Sequence, residues 1–370
     1  MVEMCAALQP LWESGSTEDA HRHAEVLTEH INTHGVRTLM SERILEALLD
    51  KLKSKKHAED RERAAIGLGA IASKVAGKNA PLPLGAEPWL IPAIAPLLET
   101  YADKNEKVKQ AAESAMASIV PLFPPEAAAE LLDVLYGVIM SSTAKWQAKV
   151  GALKIIGRLA DLAYEQVGDE LTQMTPVLTQ AMHETKAEVS KQAIKTATKV
   201  CGVIDNNDIR PFIPDLVGCM ARPDSVPACI KKLSSITFVA EVTGPALAVM
   251  VPLLSRALNE RSQTVQRQSV IIVDNLCKLV RDPHTAALYL PGLLPSVERI
   301  EEGASFPEVR EHAKSAVHTL RTAFAAADAS KQDPQGTDPL ARLAEARSKA
   351  LQRLADAVQP RVPTGVVFSA

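Results

Sequence analysis

At 370 residues, with 46% hydrophobic but only 4% aromatic side chains, the chain can bury a large core, and an aliphatic one. Few aromatic residues and many Ala, Leu, Lys and Glu favour helices over strands, so an all-α fold is expected. The formal net charge of −3 excludes a globally basic nucleic-acid binder while leaving room for a local basic face.

The N-terminus carries Glu3 and no apolar run of signal-peptide type, so secretion is not expected. A degenerate helical pair within residues 3–34 would cap the remainder of the fold, with residues 1–40 as the cap region. His21, His23, His30 and His34 cluster here. No Cys or carboxylate stands beside them at metal-ligand spacing, so they read as a solvated helix face. Next comes EDRERAAIGLGA, residues 59–70. Its GLGAIA portion, Gly67 to Ala72, echoes a dinucleotide fingerprint, but no strand precedes it; small residues for close helix packing explain it. A proline-rich loop, Ala76 to Pro88, separates this copy from the next.

From Pro92 onward two markers recur. The first is an apolar helix centred on proline: IPAIAPLLE at Pro92, MTPVLTQAM at Pro176, FIPDLVGCM at Pro214, MVPLLSRALNER at Pro252 and LLPSVERI at Pro295. A copy without proline, LLDVLYGVIM, places Val134 in the same slot. The proline intervals are 84, 38, 38 and 43 residues, the first being two periods. The second marker is a small or apolar residue in a charged, Ala-rich helix: Val108, Trp146, Val189, Val226, Val265 and Val309, stepping by 38, 43, 37, 39 and 44. An internal proline costs one intrahelical hydrogen bond and predicts a kink in the first helix of each pair.

A period near 40 built of two helices is the signature of a HEAT or armadillo α-solenoid, in which each pair buries its apolar faces against its neighbours. Seven well-marked pairs run from about Ser41 to Phe324, so residues 1–325 are expected to form the array of seven to eight pairs. Turn or capping chemistry sits at the joins Asp205-Asn-Asn-Asp208, Thr243-Gly-Pro245 and Arg281-Asp-Pro283. Residues 326–337 have linker composition. A single helix with an apolar stripe at Leu340, Leu343, Leu351 and Leu354 is expected within residues 338–370.

Sites of chemistry are not apparent. No phosphate-binding G-x-x-x-x-G-K-[ST] occurs, and no catalytic Ser/His/Asp or Cys/His spacing can be argued. Cys5, Cys201, Cys219, Cys229 and Cys277 lie singly on apolar stretches and read as buried hydrophobes in a reducing compartment. The longest uncharged apolar run, Val242 to Ser255, is 14 residues, against the 18 to 20 or so that a membrane helix needs. A soluble, cytoplasmic protein without a membrane partner is the expectation.

Positive residues are more informative. Lys145, Lys149, Lys154 and Arg158, then Lys191, Lys195 and Lys199, then Lys231 and Lys232, then Arg267 and Lys278 fall on successive second helices. Lys191, Lys195 and Lys199 make one i, i+4, i+8 stripe. Aligned stripes would form a basic ridge suited to phosphates, and the scarcity of aromatics favours structured RNA over stacked single strands.

The strings AKWQAKVGALKIIGRLAD (Ala144 to Asp161), HETKAEVSKQA (His183 to Ala193), DNNDIRPFIPDLVGCM (Asp205 to Met220), TFVAEVTGPALAVMVPLLSRALNER (Thr237 to Arg261) and VDNLCKLVRDP (Val273 to Pro283) resemble the N-terminal HEAT domain of translation elongation factor 3. In that family of ABC ATPases, a HEAT arm contacts small-subunit rRNA and proteins while tandem cassettes drive release of exit-site tRNA. The resemblance therefore implies a ribosome-docking module, and adds Arg256 and Arg261 of the SRALNER string to the candidate contacts. The cassettes are missing from this sequence, so a part of a longer protein or a truncated relative is expected. It would be no enzyme, would hold no cofactor itself (ATP belonging to the cassettes), would take no small-molecule substrate and would be a monomer. Two other readings stand: the HEAT segment of the ribosome-associated activator of the amino-acid-starvation kinase, which shares this similarity, and a generic protein-binding scaffold.

Overall fold

The structure, a computed structural model, describes residues 6–74 and 87–331, the side chains of 326–331 excepted. The expectations for residues 332–370 and for most of the loop from Ala76 to Pro88 lie outside the described residues. All regular structure among the described residues is helical. The chain divides after Phe123 into two compact units.

In the first unit, a single turn at Gln9–Trp12 leads into α1 (Thr17–His34), a further turn at Thr38–Ser41, and two pairs: α2 (Ile44–Leu52) with α3 (Ala58–Lys74), and α4 (Glu87–Thr100) with α5 (Glu106–Ile119). Ser16 caps α1 by accepting the Asp19 amide at 3.1 Å, and Glu18 and Asp19 put negative charge at the helix's positive end. The apolar faces of α2 to α5 interlock through Leu48, Leu68, Ile71, Leu90, Leu97 and Ile119, all fully buried. The GLGAIA stretch lies inside α3, where a Cβ added to Gly69 would meet Ala115 Cα at 3.1 Å. Glycine is there because α5 comes that close. The N-terminal turn is tied to the array by the Arg63 guanidinium, which donates to Trp12 O at 2.7 Å.

Five pairs make up the second unit: α6 (Ala128–Met140) with α7 (Trp146–Leu162), α8 (Leu171–Met182) with α9 (Ala187–Cys201), α10 (Ile213–Ala221) with α11 (Val226–Leu233), α12 (Gly244–Leu258) with α13 (Gln263–Leu279), and α14 (Leu294–Gly303) with α15 (Pro307–Lys331). Seven pairs in all is the number the markers predict. Within the unit, α7 packs beside α9 and α13 beside α15, while α10 and α11 are so short that α8 also reaches α12 directly.

Three marker assignments change. Pro92, Pro176 and Pro252 lie inside continuous helices, but Pro214 and Pro295 fall in the first turn of α10 and α14. A first-turn proline loses no hydrogen bond, so no kink follows there. All five are exposed. Trp146 is likewise no equivalent of the buried valines: it is 37% exposed, and Ala148, the third residue of α7 and fully buried, holds the place that Val108, Val189, Val265 and Val309 hold in their helices.

Hydrogen bonds between neighbouring pairs follow the repeat period. Thr196 Oγ1 donates to Leu153 O at 2.8 Å, Arg61 Nε to Asp103 Oδ2 at 2.6 Å, and Thr319 Oγ1 to Asp274 Oδ1 at 2.6 Å, joining residues 42 to 45 apart. Another set fastens the irregular strap between α11 and α12. Asp208 Oδ2 accepts the amides of Val239 and Ala240, both at 2.7 Å, and buried Asn206 donates to Glu241 O at 3.0 Å. No helix among the described residues is long and apolar enough to cross a membrane.

Candidate nucleic-acid interface

The thirteen candidate cations separate into groups once their neighbours are seen. Lys149 is buried, 8% exposed, and its ammonium donates to Glu184 in the turn ahead of α9. An ammonium so placed braces one repeat against the next and is not open to a phosphate. Arg267 of α13 does the same to Glu308 at the start of α15, and Lys199 of α9 pairs with Asp161 of α7. Lys232 pairs with Asp215 at 2.7 Å across the α10–α11 hairpin, and that hydrogen bond raises the Lys232 pKa. Lys278 lies 2.7 Å from Asp274 of its own helix. Asp274 also takes the hydroxyls of Ser315 and Thr319. Burial alone would raise its pKa, but these donors together hold it below the ordinary carboxylate value.

Eight cations remain exposed with no carboxylate partner among the described residues: Lys145, Lys154, Arg158, Lys191, Lys195, Lys231, Arg256 and Arg261. Lys154 and Arg158 on α7 and Lys191 and Lys195 on α9 are the coherent set, because the two helices are fixed side by side. Thr196 anchors α9 to Leu153, and a Cβ on Gly157 would stand 3.7 Å from Thr196 Oγ1. Exposed charges on these helices are Lys154, Arg158 and Asp161 on one, and Glu188, Lys191, Lys195 and Lys199 on the other. Positive charge wins on this face, five to two. Lys145 stands at the head of α7, beside exposed Trp146.

Arg256 and Arg261 do not join this ridge. Arg256 belongs to a first helix, α12, and lines an open cleft of about 510 Å³ with Asp224, Ser255, Asn259 and Glu260, while Arg261 sits in the turn between α12 and α13. A second cleft of about 550 Å³, largely apolar, runs between α8 and α12 past Pro176, Val251 and Pro252. Thr172 and Tyr289 close one end through a 2.6 Å hydroxyl hydrogen bond. In the histidine cluster, His23 bonds Ser14 Oγ at 2.9 Å, His30 bonds Glu42 at 2.9 Å, and the rings of His30 and His34 stack 4.3 Å apart. Among the described residues no three metal-ligating side chains converge.

Sequence reasoning missed the carboxylates. Glu184, Asp161 and Glu308 lie 35 to 41 residues from the cations they meet, and only the repeat offset, applied to charge as well as to proline, would have pointed to them.

Two family models match: the EF3 N-terminal HEAT repeat over residues 20–197, and the elongation factor 3/GNC1 HEAT repeat over residues 225–331. The chain belongs to the elongation factor 3 HEAT-repeat family. Elongation factor 3 of Gonapodya prolifera is 34% identical over 310 residues, 84% of this chain and 28% of the relative. Elongation factor 3A of Saccharomyces cerevisiae is 38% identical over 72% of this chain and 25% of its own length. A Schizosaccharomyces pombe relative, mRNA export factor elf1, is 42% identical over 80% of this chain and 27% of its own. The chain thus spans little more than a quarter of each elongation-factor-3-type relative. Both turn strings that carry the resemblance, around Asn206 to Asp208 and Val239 to Glu241, meet in the strap that fastens α11 to α12.

Proposed function

We propose that the chain is a non-catalytic ribosome-docking module acting in translation elongation, its basic second-helix positions and inter-helix loops holding small-subunit rRNA and ribosomal proteins. In relatives carrying ATP-binding cassettes this arm would serve release of tRNA from the exit site. The observation that supports this reading is the unpaired cation set Lys154, Arg158, Lys191 and Lys195 on two helices locked in register. Rigid helices present fixed positive charge at low ordering cost, which suits a folded, shape-defined RNA. A cytoplasmic location and a monomeric state belong to the same proposal.

A second reading has its own observation, the 42% identity to a relative named as an mRNA export factor. The same ridge would then meet messenger ribonucleoprotein. Co-sedimentation of the purified chain with ribosomes over a salt series, with and without polyadenylated RNA as competitor, separates the two. Salt-sensitive pelleting that the competitor leaves intact supports ribosome docking. Pelleting that polyadenylated RNA abolishes supports the second reading, and none even at low salt defeats the electrostatic basis of both.

A further inference from the structure

Three clefts of the second unit run into one another along α12, among first helices rather than the second helices that carry the basic face. The apolar cleft between α8 and α12 shares Thr175, Thr179 and Pro252 with a smaller one of about 130 Å³, and that one shares Pro252 and Arg256 with the open cleft at the α12–α13 turn. The trough exists because α10, only nine residues long, leaves part of α8 and α12 uncovered. It follows α12 from Leu247 to Asn259, about 18 Å at about 1.5 Å per residue.

The middle of the trough offers acceptors. Thr175 Oγ1 already donates to Leu171 O at 2.7 Å and Thr179 Oγ1 to Thr175 O at 2.8 Å, so both hydroxyl protons are engaged within α8. Pro176 and Pro252 have no amide, so the carbonyls of Thr172 and Ala248, four residues back, lack their helical donor, and both residues line the cleft. Around these acceptors the wall is apolar, with Val251 half-buried and Leu288 52% exposed. Such a surface suits an extended backbone, whose amides are free to donate, and not a helix, whose amides are already paired.

The two ends differ in charge. At the start of α12 the Tyr164–Asp169 helix and Tyr289 close in: a Cβ on Gly168 would lie 3.5 Å from Pro245 Cγ, and one on Gly244 3.4 Å from the Tyr289 ring. Glu165 and Asp169 are exposed there with no cationic partner among the described residues, and Arg281 is taken by Glu241. Loss of surrounding water, then the Glu165 charge, raises the Asp169 pKa, as befits carboxylates left unneutralised. At the other end Arg222, Arg256, Arg261 and Arg299, all exposed, outnumber Asp224 and Glu260.

We infer that this trough docks a short extended peptide of a partner protein, apolar in its middle, basic where it meets Asp169 and acidic where it meets Arg256. Roughly five to six residues at about 3.3 Å each fill its length. Opposite charge at the two ends sets the direction in which the peptide lies, and its amides meet the carbonyls that the prolines leave open. The inference does not rest on RNA binding by α7 and α9.

The test is selection of a phage library of random heptapeptides on the immobilised whole chain, the enriched peptides then being synthesised and titrated by fluorescence anisotropy. Apolar sequences with a basic residue at one end and an acidic one at the other are expected, with at least about tenfold weaker binding to Val251→Arg, which fills the cleft. Asp169 and Arg256 are exposed, so Asp169→Lys and Arg256→Glu keep the test open even where Val251→Arg fails to fold. Each reversal is expected to weaken the peptides roughly three- to tenfold. No enrichment over a blank support, or peptides indifferent to both reversals, overturns the inference. A dimer that Val251→Arg dissolves would instead give the trough to a second copy, and hydrogen-exchange protection of residues 338–358 that Val251→Arg removes would give it to the chain's own segment.

Discussion

Gly69 and Gly137 are both helical glycines, and their surroundings give the same substitution opposite signs. A Cβ at Gly69 would sit 3.1 Å from Ala115 Cα, backbone that cannot step aside without parting α3 from α5, whereas nothing lies within 4 Å of the Gly137 position. Gly69→Ala is therefore expected to destabilise by about 1–3 kcal/mol through overpacking, and Gly137→Ala to stabilise by about 0.5–1 kcal/mol through helix propensity. Thermal unfolding of the two variants checks both signs. Asp208 offers a third case. Its carboxylate takes two strap amides at 2.7 Å, so Asp208→Ala is expected to cost about 1–2 kcal/mol and to raise protease cleavage near Val239, while Asp208→Asn, which keeps an acceptor oxygen, recovers part of it.

Between helices, the repeat joins titrate. Burial would raise the Asp103 carboxyl, but the Arg61 guanidinium and the amides of Asn105 and Lys104 hold it below its ordinary value of 3.8, and Asp274 is lowered likewise against its burial. A carboxyl lowered by folding contributes stability that is fully present above its unfolded value and disappears as pH falls through the folded one. The melting temperature is thus expected to hold down to about pH 5 and then fall. Asp103→Asn should flatten that fall while lowering stability at neutral pH by about 3 kcal/mol, since Arg61 is left part-buried and unpaired. A pH series of melts on the two proteins decides it; equal acid slopes would remove Asp103 from the account. The sequence showed these joins only in part. Period, pair count and turn chemistry were legible because apolar spacing and turn residues are local signals. That Pro214 and Pro295 open their helices, and that Ala148 rather than Trp146 is buried, depends on where each helix starts, which a preceding turn shifts by two or three residues. The partner of Lys149 was not legible, since a charge pair 35 residues apart leaves no local trace.

Across the second unit, charge is sorted by that same offset. Ion pairs between successive repeats take up Lys149, Lys199 and Arg267 and leave Lys154, Arg158, Lys191 and Lys195 unpaired. Bracing and docking lysines can therefore be told apart. Lys149→Ala strands the Glu184 carboxylate, and is expected to lower the melting temperature while leaving the salt dependence of ribosome binding by the folded protein unchanged. Lys191→Glu with Lys195→Glu is expected to do the reverse: unfolding stays put, affinity falls, and the slope of log K against log salt shrinks by roughly 0.7–0.9 for each phosphate no longer neutralised. Asp161→Asn tests the ridge from the other side, because it removes an exposed anion and releases Lys199 as a fifth free cation. Tighter, more salt-sensitive binding is expected, the slope growing by up to one such step. If Asp161→Asn left the slope where it was while the double reversal abolished binding, the reversed charges would be acting by repulsion from RNA, and the native lysines would not be its contacts.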